Sequence, residues 1–196
     1  EKTKIAIFYD YDKTISVDDM QNFGFIKELG FETNNRFWKE KNEFQVKNDA
    51  DTILAYLYYS LKKANEKGIK ITREFLRSFG KDIKYYEGIE TWFDIINNYA
   101  QSLGFEVEHY IISSGLKPMI EGSSVAKHFK KIFACDYIYD EKGEAVWPSL
   151  SVDFTNKTQH IYRVNKGFLD VYDGRVNEYV EKSERKIPFE NIVFVG

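Results

Sequence analysis

The chain has a single cysteine among 196 residues, which excludes any disulfide within it. Cys135 lies in the apolar run 132–138 and reads as a small core residue, not as a nucleophile. One free thiol suits a reducing compartment, so a cytoplasmic location is expected. A basic excess is also missing. Lys and Arg number 28 against 31 Asp and Glu, for a net charge of -3, with both signs mixed along the chain. Such a chain offers no cationic face for nucleic acid, and the doublets Lys62-Lys63 and Lys130-Lys131 read as solvated surface. No apolar run approaches the ~20 residues of a membrane-spanning helix, so no membrane partner is expected. Nothing at the start reads as a signal peptide. The histidines His109, His128 and His160 lack metal-ligand spacing. Repeats and low-complexity segments are absent.

What is present is apolar mass. Hydrophobic residues make up 43% and aromatic residues 17%, enough to bury one core with a modest insertion. Residues 4–9 form a short apolar, partly β-branched run that suits a strand buried on both faces. Helical spacing of apolar residues follows over 18–29, 51–66, 72–79 and 89–103. The last of these carries Trp92, Phe93, Ile95, Ile96, Tyr99 and Leu103 as its apolar side. Then the pattern changes. Strands are expected over 105–112, 131–139 and 191–195, with a turn at 140–143 and a return strand over 144–147. Helices are expected over 116–129, where Pro118 sits in the first turn, and from 157 to 164.

This alternation predicts an α/β fold: a Rossmann-like parallel sheet with helices on both faces. The helical block after the first strand is too long for an ordinary crossover. The expected division is an α/β core from 1–16 and 105–196, with 17–104 as an inserted, mostly α-helical domain.

The sharpest chemical signal is Asp10-Tyr11-Asp12-Lys13-Thr14, at the exit of the first strand. In an open α/β sheet, ligands bind at that edge. Two carboxylates so close repel each other unless a cation or a shared proton relieves them. A hard divalent ion such as Mg²⁺ is the natural partner. A calcium loop of the EF-hand kind needs a central glycine, which residues 10–21 lack.

This stretch resembles the first motif of the haloacid dehalogenase superfamily, an apolar strand leading into D-x-D-x-[TV]. Three further segments are similar to that family's motifs and come in its order. His109-Tyr110-Ile111-Ile112-Ser113 ends an apolar strand in serine, and Ser114-Gly115 follows as in phosphoserine-phosphatase-like members. Phe154-Thr155-Asn156-Lys157 places a lysine at a helix opening. Ile192-Val193-Phe194-Val195-Gly196 matches the start of the fourth motif.

The resemblance implies a phosphatase, with the helical insertion as a cap over its site. It makes Asp10 the nucleophile and Asp12 the proton donor and acceptor. Ser113, with the backbone N–H groups of Ser114 and Gly115 at a helix start, would hold phosphate. Lys157 would supply a fixed positive charge. Mg²⁺ would sit between an Asp10 carboxylate oxygen and the Asp12 carbonyl. Thr14 would order the loop. A small phosphate ester is the implied partner. Lys166, in Asn165-Lys166-Gly167, is a second candidate for the lysine. Ser113 and Ser114 could equally serve as helix caps. A phosphotransferase such as a phosphomutase, or a non-catalytic binding domain of the same fold, are the alternative functions. Both ends of the sequence read as cuts in a longer protein. The fourth-motif carboxylates are thus expected past Gly196, and the metal site and activity are expected to suffer without them.

Overall fold

The computed structural model describes residues 2–196. Strand β1 (Thr3–Tyr9) opens the chain, with Ala6 and Phe8 fully buried. Four helices follow, α1 (Phe25–Glu28), α2 (Asn34–Lys47), α3 (Thr52–Glu66) and α4 (Arg73–Ser78), then α5 (Ile89–Ser102). The remainder is β2 (Phe105–Leu116), α6 (Lys117–Glu121), β3 (Phe129–Tyr139), β4 (Ala145–Leu150), α7 (Lys157–Lys166) and β5 (Ile192–Val195). The caps explain several starts. Thr33, Asp51 and Thr72 each accept backbone N–H groups of the first turn of α2, α3 and α4.

The five strands form one sheet in the order β4-β3-β2-β1-β5. All neighbours are parallel except β3 and β4, which form a hairpin. The expected α/β architecture is thus the observed one. Helices cover both faces. On one, Phe93 of α5 packs edge-on against Tyr9, His109 and Phe129. On the other, Phe8 stacks on Tyr110, and His160 of α7 stacks on Phe133. Both faces of the central strands are therefore dry, as their continuous apolar sequence requires.

Two expected helices are different. The stretch 18–29 is not one helix but a 3-10 turn (Met20–Asn22) followed by the single turn of α1. Gly24 between them has φ +117°, outside the range of a right-handed helix. The 116–129 helix stops after five residues at Gly122, and a 3-10 turn (Ala126–His128) leads into β3. The reason is packing: Gly122 lies so close to α4 that a Cβ there would fall 2.0 Å from the Arg77 carbonyl oxygen. Helix α2 was not foreseen. Of the apolar side expected over 89–103, Phe93 is buried, whereas Ile95, Tyr99 and Leu103 are more than half exposed. No helix among the described residues is long and apolar enough to cross a membrane.

Candidate active site

The parallel register brings the exits of β1, β2 and β5 to one edge of the sheet. Tyr9 pairs with Ile111 on one side and Val195 on the other. Asp10 therefore follows directly on β1, which lies between β2 and β5, and its N–H donates to the Val195 carbonyl at 2.9 Å. Gly196 lies against it, with room so small that a Cβ there would stand 3.0 Å from the Asp10 Cβ. Past Asp10 the chain folds into a tight loop. The Tyr11 carbonyl accepts the N–H groups of Thr14, Ile15 and Ser16, and Lys13 takes φ +61° to close the turn. Thr14 thus contributes to the loop through its backbone.

Asp10 and Lys157 meet. The Lys157 ammonium, on the first residue of α7, donates to Asp10 Oδ2 at 2.9 Å, while Asp10 Oδ1 accepts the Tyr11 N–H at 2.8 Å. Lys166 points elsewhere, donating to the Val176 and Glu178 carbonyls at 2.8 and 2.6 Å. Of the two lysine candidates, Lys157 is therefore the one at Asp10.

Asp12 points the other way, toward the helical block. Its Oδ1 accepts the Met20 N–H at 2.9 Å. Burial pushes its pKa up to about 7, and the nearby Asp19 and Asp10 carboxylates add to this against the Met20 hydrogen bond. A carboxyl so placed can both give and take a proton near neutrality.

Ser113 is fully buried at the exit of β2, and its Oγ accepts the Gly115 N–H at 3.0 Å. Ser114 and Gly115 differ from expectation: they lie in an irregular end of β2, ahead of the helix start. The Met20 side chain keeps the chain extended there. Its sulfur accepts the Leu116 N–H at 3.2 Å, and a Cβ on Gly115 would fall 2.1 Å from its Cε. Ser114 nevertheless faces the same space as Asp12. Both line an open cavity of about 220 Å³, together with Asp19, Gln21, Trp38, Lys41 and Tyr56. A larger cavity, about 720 Å³, opens at the opposite end of the sheet around Lys4, Glu108 and Lys130. It is remote from the paired aspartates.

The oxygen donors at Asp10 and Asp12, a carboxylate and a main-chain carbonyl, are of the type a hard cation takes. Mg²⁺ is commonly held by one or two carboxylates together with water and substrate oxygens, so the donor set fits. Among the described residues no group of three His, Cys, Asp or Glu side chains gathers around one point. Cys135 is buried in the core, with its thiol pushed up to about 12 by burial.

Trp38 and Lys41, which line the cavity beside Asp12, fall on α2, for which the sequence analysis has no helix. The signal was there: Phe37, Lys41 and Phe44 stand at helical spacing after Thr33, with a lysine inside an otherwise apolar stripe.

Comparison with known proteins bears on the fold. No family model matches the sequence. An uncharacterised protein of Borreliella burgdorferi is 29% identical over 216 aligned positions, covering 98% of this chain and 74% of that protein. A HAD family hydrolase from Salmonella enterica serovar Typhi superposes with a TM-score of 0.59 at 17% identity, over 96% of this chain and 54% of that one. A probable phosphoserine phosphatase from Vibrio cholerae, unliganded, gives 0.59 at 11% identity, over 98% and 50%. The chain spans about half the length of these two structures. Both likenesses extend over nearly the whole of this chain and show its fold: the chain has the haloacid dehalogenase-type hydrolase fold, in its phosphoserine-phosphatase-like form.

Proposed function

We propose that this protein is a Mg²⁺-dependent phosphatase that hydrolyses a small phosphate monoester through an aspartyl phosphate on Asp10. The observation that carries the reading is the 2.9 Å contact between Lys157 and Asp10, with Asp12 buried two residues on. An isolated pair of aspartates after a strand is common. A lysine delivered to one of them from 147 residues away is not.

In the proposed reaction an Asp10 oxygen attacks phosphorus, and the bond from phosphorus to the ester oxygen breaks. The proton on Asp12 passes to that oxygen as the alcohol leaves. Asp12 then takes a proton from water as its oxygen attacks the aspartyl phosphate, and inorganic phosphate and free Asp10 result. The Lys157 ammonium is a fixed charge beside the transferring group. The Ser113 hydroxyl accepts the Gly115 N–H and keeps its own proton to donate to a phosphoryl oxygen. The Ser114 N–H would add to the phosphate site. Asp10 Oδ and the Asp12 carbonyl would hold Mg²⁺, which neutralises phosphate charge when bound.

The block 17–104 acts in this reading as a cap. Within it, α5 lies on the sheet through Phe93, and the residues facing Asp12 come from the Met20 turn, α2 and α3. The test is release of phosphate from an aryl phosphate with Mg²⁺, by the wild-type protein and by Asp10→Asn. No release by the first, or undiminished release by the second, overturns the proposal.

A further inference from the structure

A cavity of about 720 Å³ opens at the end of the sheet away from Asp10. Lys4 lines it from the start of β1, and at about 3.3 Å per strand residue it stands about 20 Å from Asp10. One small ligand does not span that gap. Glu108 of β2 organises the cavity. It is 8% exposed, and its Oε1 accepts the ammonium of Lys4 at 2.9 Å and that of Lys130 at 2.5 Å. Its Oε2 accepts the Tyr110 hydroxyl at 2.5 Å. Burial acts to raise the Glu108 pKa, but the donors from Lys130, Tyr110 and Lys4 outweigh it and hold the group below its ordinary value. Three more cations reach the same space from distant parts of the chain: Lys2 ahead of β1, and Arg185 and Lys186 ahead of β5. Among the described residues none of these three makes an ion pair. Arg185 donates to the Val180 carbonyl at 3.5 Å and lies over the Phe189 ring, both neutral. Glu184 is the other carboxylate of the lining. Glu106, 3.8 Å from Lys4, lies outside the lining and is half exposed, so water screens it. Five cations against two carboxylates leave three positive charges in one cavity of a protein whose net charge is -3.

We infer that this cavity is a second anion site and that it takes the diphosphate group of an organic ligand. Neutralising Glu108 requires one ammonium; two ammoniums drawn to the same oxygen repel each other, and an anion beside them relieves that repulsion. Lys130 spends one of its three N–H groups on Glu108 and keeps others to donate. A single phosphate carries about −1.5 to −2 charge, short of the surplus here, whereas two linked phosphates meet it. The volume falls within the ~300–1,000 Å³ of small-molecule sites. Val164, Leu169, Ile187 and Pro188 add apolar wall, so the ligand carries an organic part beside its phosphates. The inference uses nothing from the proposed reaction at Asp10, and neither stands on the other.

The experiment separates this cavity from the site at Asp10. ADP, pyrophosphate and inorganic phosphate are titrated calorimetrically, without divalent ions, into the wild-type protein, into the double variant Arg185→Gln with Lys186→Gln, and into Lys157→Ala. ADP should bind at one site, at least about tenfold more tightly than inorganic phosphate, the scale of one charge-assisted hydrogen bond. The double variant should weaken ADP by at least about tenfold, and Lys157→Ala should leave it unchanged. Pyrophosphate should bind more weakly than ADP, because it leaves the apolar wall uncovered. A second measurement needs no variant: in the wild-type protein ADP should slow acetylation of Lys130 and Lys186 and not that of Lys157. Absence of diphosphate binding, an affinity unchanged in the double variant, or a loss on Lys157→Ala overturns the assignment. So does protection of Lys157 alone. Pyrophosphate binding as tightly as ADP overturns the organic part of the ligand.

Discussion

The ammonium of Lys157 and the carboxylate of Asp10 lie 2.9 Å apart, although 147 residues separate them in sequence. The contact depends on the whole fold. Strand β1 must end at the sheet edge, the β3–β4 hairpin must return the chain, and α7 must start there. Both side chains keep some access to water, 20% for Lys157 and 32% for Asp10.

That partial exposure separates a chemical role from a structural one. A pair this accessible contributes about 0–1 kcal/mol to stability. Lys157→Ala should leave the melting temperature within a few degrees of wild type. Phosphate release should fall by about 10²–10³, the range seen when one fixed electrostatic contact to a transition state is removed. A variant whose activity falls only as far as its folded fraction would make the ion pair a tether.

Asp12 should behave in the opposite way to an ordinary buried polar group. Its carboxylate is desolvated, lies near Asp10 and Asp19, and its pKa is pushed up to about 7. Asp12→Asn removes the charge but keeps an oxygen that can accept the Met20 N–H. The melting temperature at pH 8 should therefore stay level or rise, since an unpaired charge leaves the interior. Activity should fall by about 10²–10⁴, the usual worth of a placed acid–base group. A clear drop in melting temperature would mean that the charge stabilises the fold.

Much of this was legible in the sequence, for identifiable reasons. Strand β1 announces itself because both of its faces are buried, so its apolar run is unbroken, and β3 shows in the apolar residues on either side of Asp136. The helices that start after Asp51 and Thr72 were visible from the helical spacing of their apolar residues. Asp10, Asp12 and Ser113 could be placed because strand exits are easily found. Local pattern failed where a distant contact decides the backbone. The Met20 thioether holds Ser114 and Gly115 extended, and the carbonyl of Arg77 stops α6 at Gly122. Neither partner is near in sequence. Lys157 was preferred to Lys166 for its place at a helix opening after the hairpin, and the fold sets Lys157, at the start of α7, against Asp10.

The junction between α4 and α6 should be intolerant of a single methyl. At Gly80 a Cβ would fall 2.3 Å from the Gly122 carbonyl carbon, and at Gly122 it would fall 2.0 Å from the Arg77 oxygen. Backbone cannot swing aside as a side chain can. Gly122→Ala should cost about 1–3 kcal/mol or more, read from the urea midpoint. Gly174→Ala is the control: nothing lies within 4 Å of the added methyl, so it should be near neutral. Equal midpoints for the two variants would show that α4 and α6 separate at little cost.

The acid sensitivity of the fold should reside partly in His160. The ring is fully buried, stacks on Phe133 with centroids 4.7 Å apart, and has no hydrogen-bond partner at either nitrogen. Burial, reinforced by the Arg163 charge, pushes its pKa down to about 4. An unfolded histidine titrates near about 6.5. Between those values the unfolded chain binds a proton that the native state refuses, so stability is full above about pH 6.5 and drains away as pH falls toward 4. His109 behaves alike, pushed to about 4 by burial, but its ring nitrogens contact Tyr9 and Asn97, so replacing it breaks a network. His160 has no such bonds to lose. His160→Phe keeps the stack on Phe133 and removes the titrating group. Urea unfolding at pH 7 and pH 5 should show a loss smaller by on the order of 1–2 kcal/mol in the variant than in wild type. At pH 7 the variant should be at least as stable, because two unpaired ring nitrogens leave the interior. If wild type and variant lose the same amount between the two pH values, His160 is already protonated in the native state, and a charged ring must be accommodated beside Arg163.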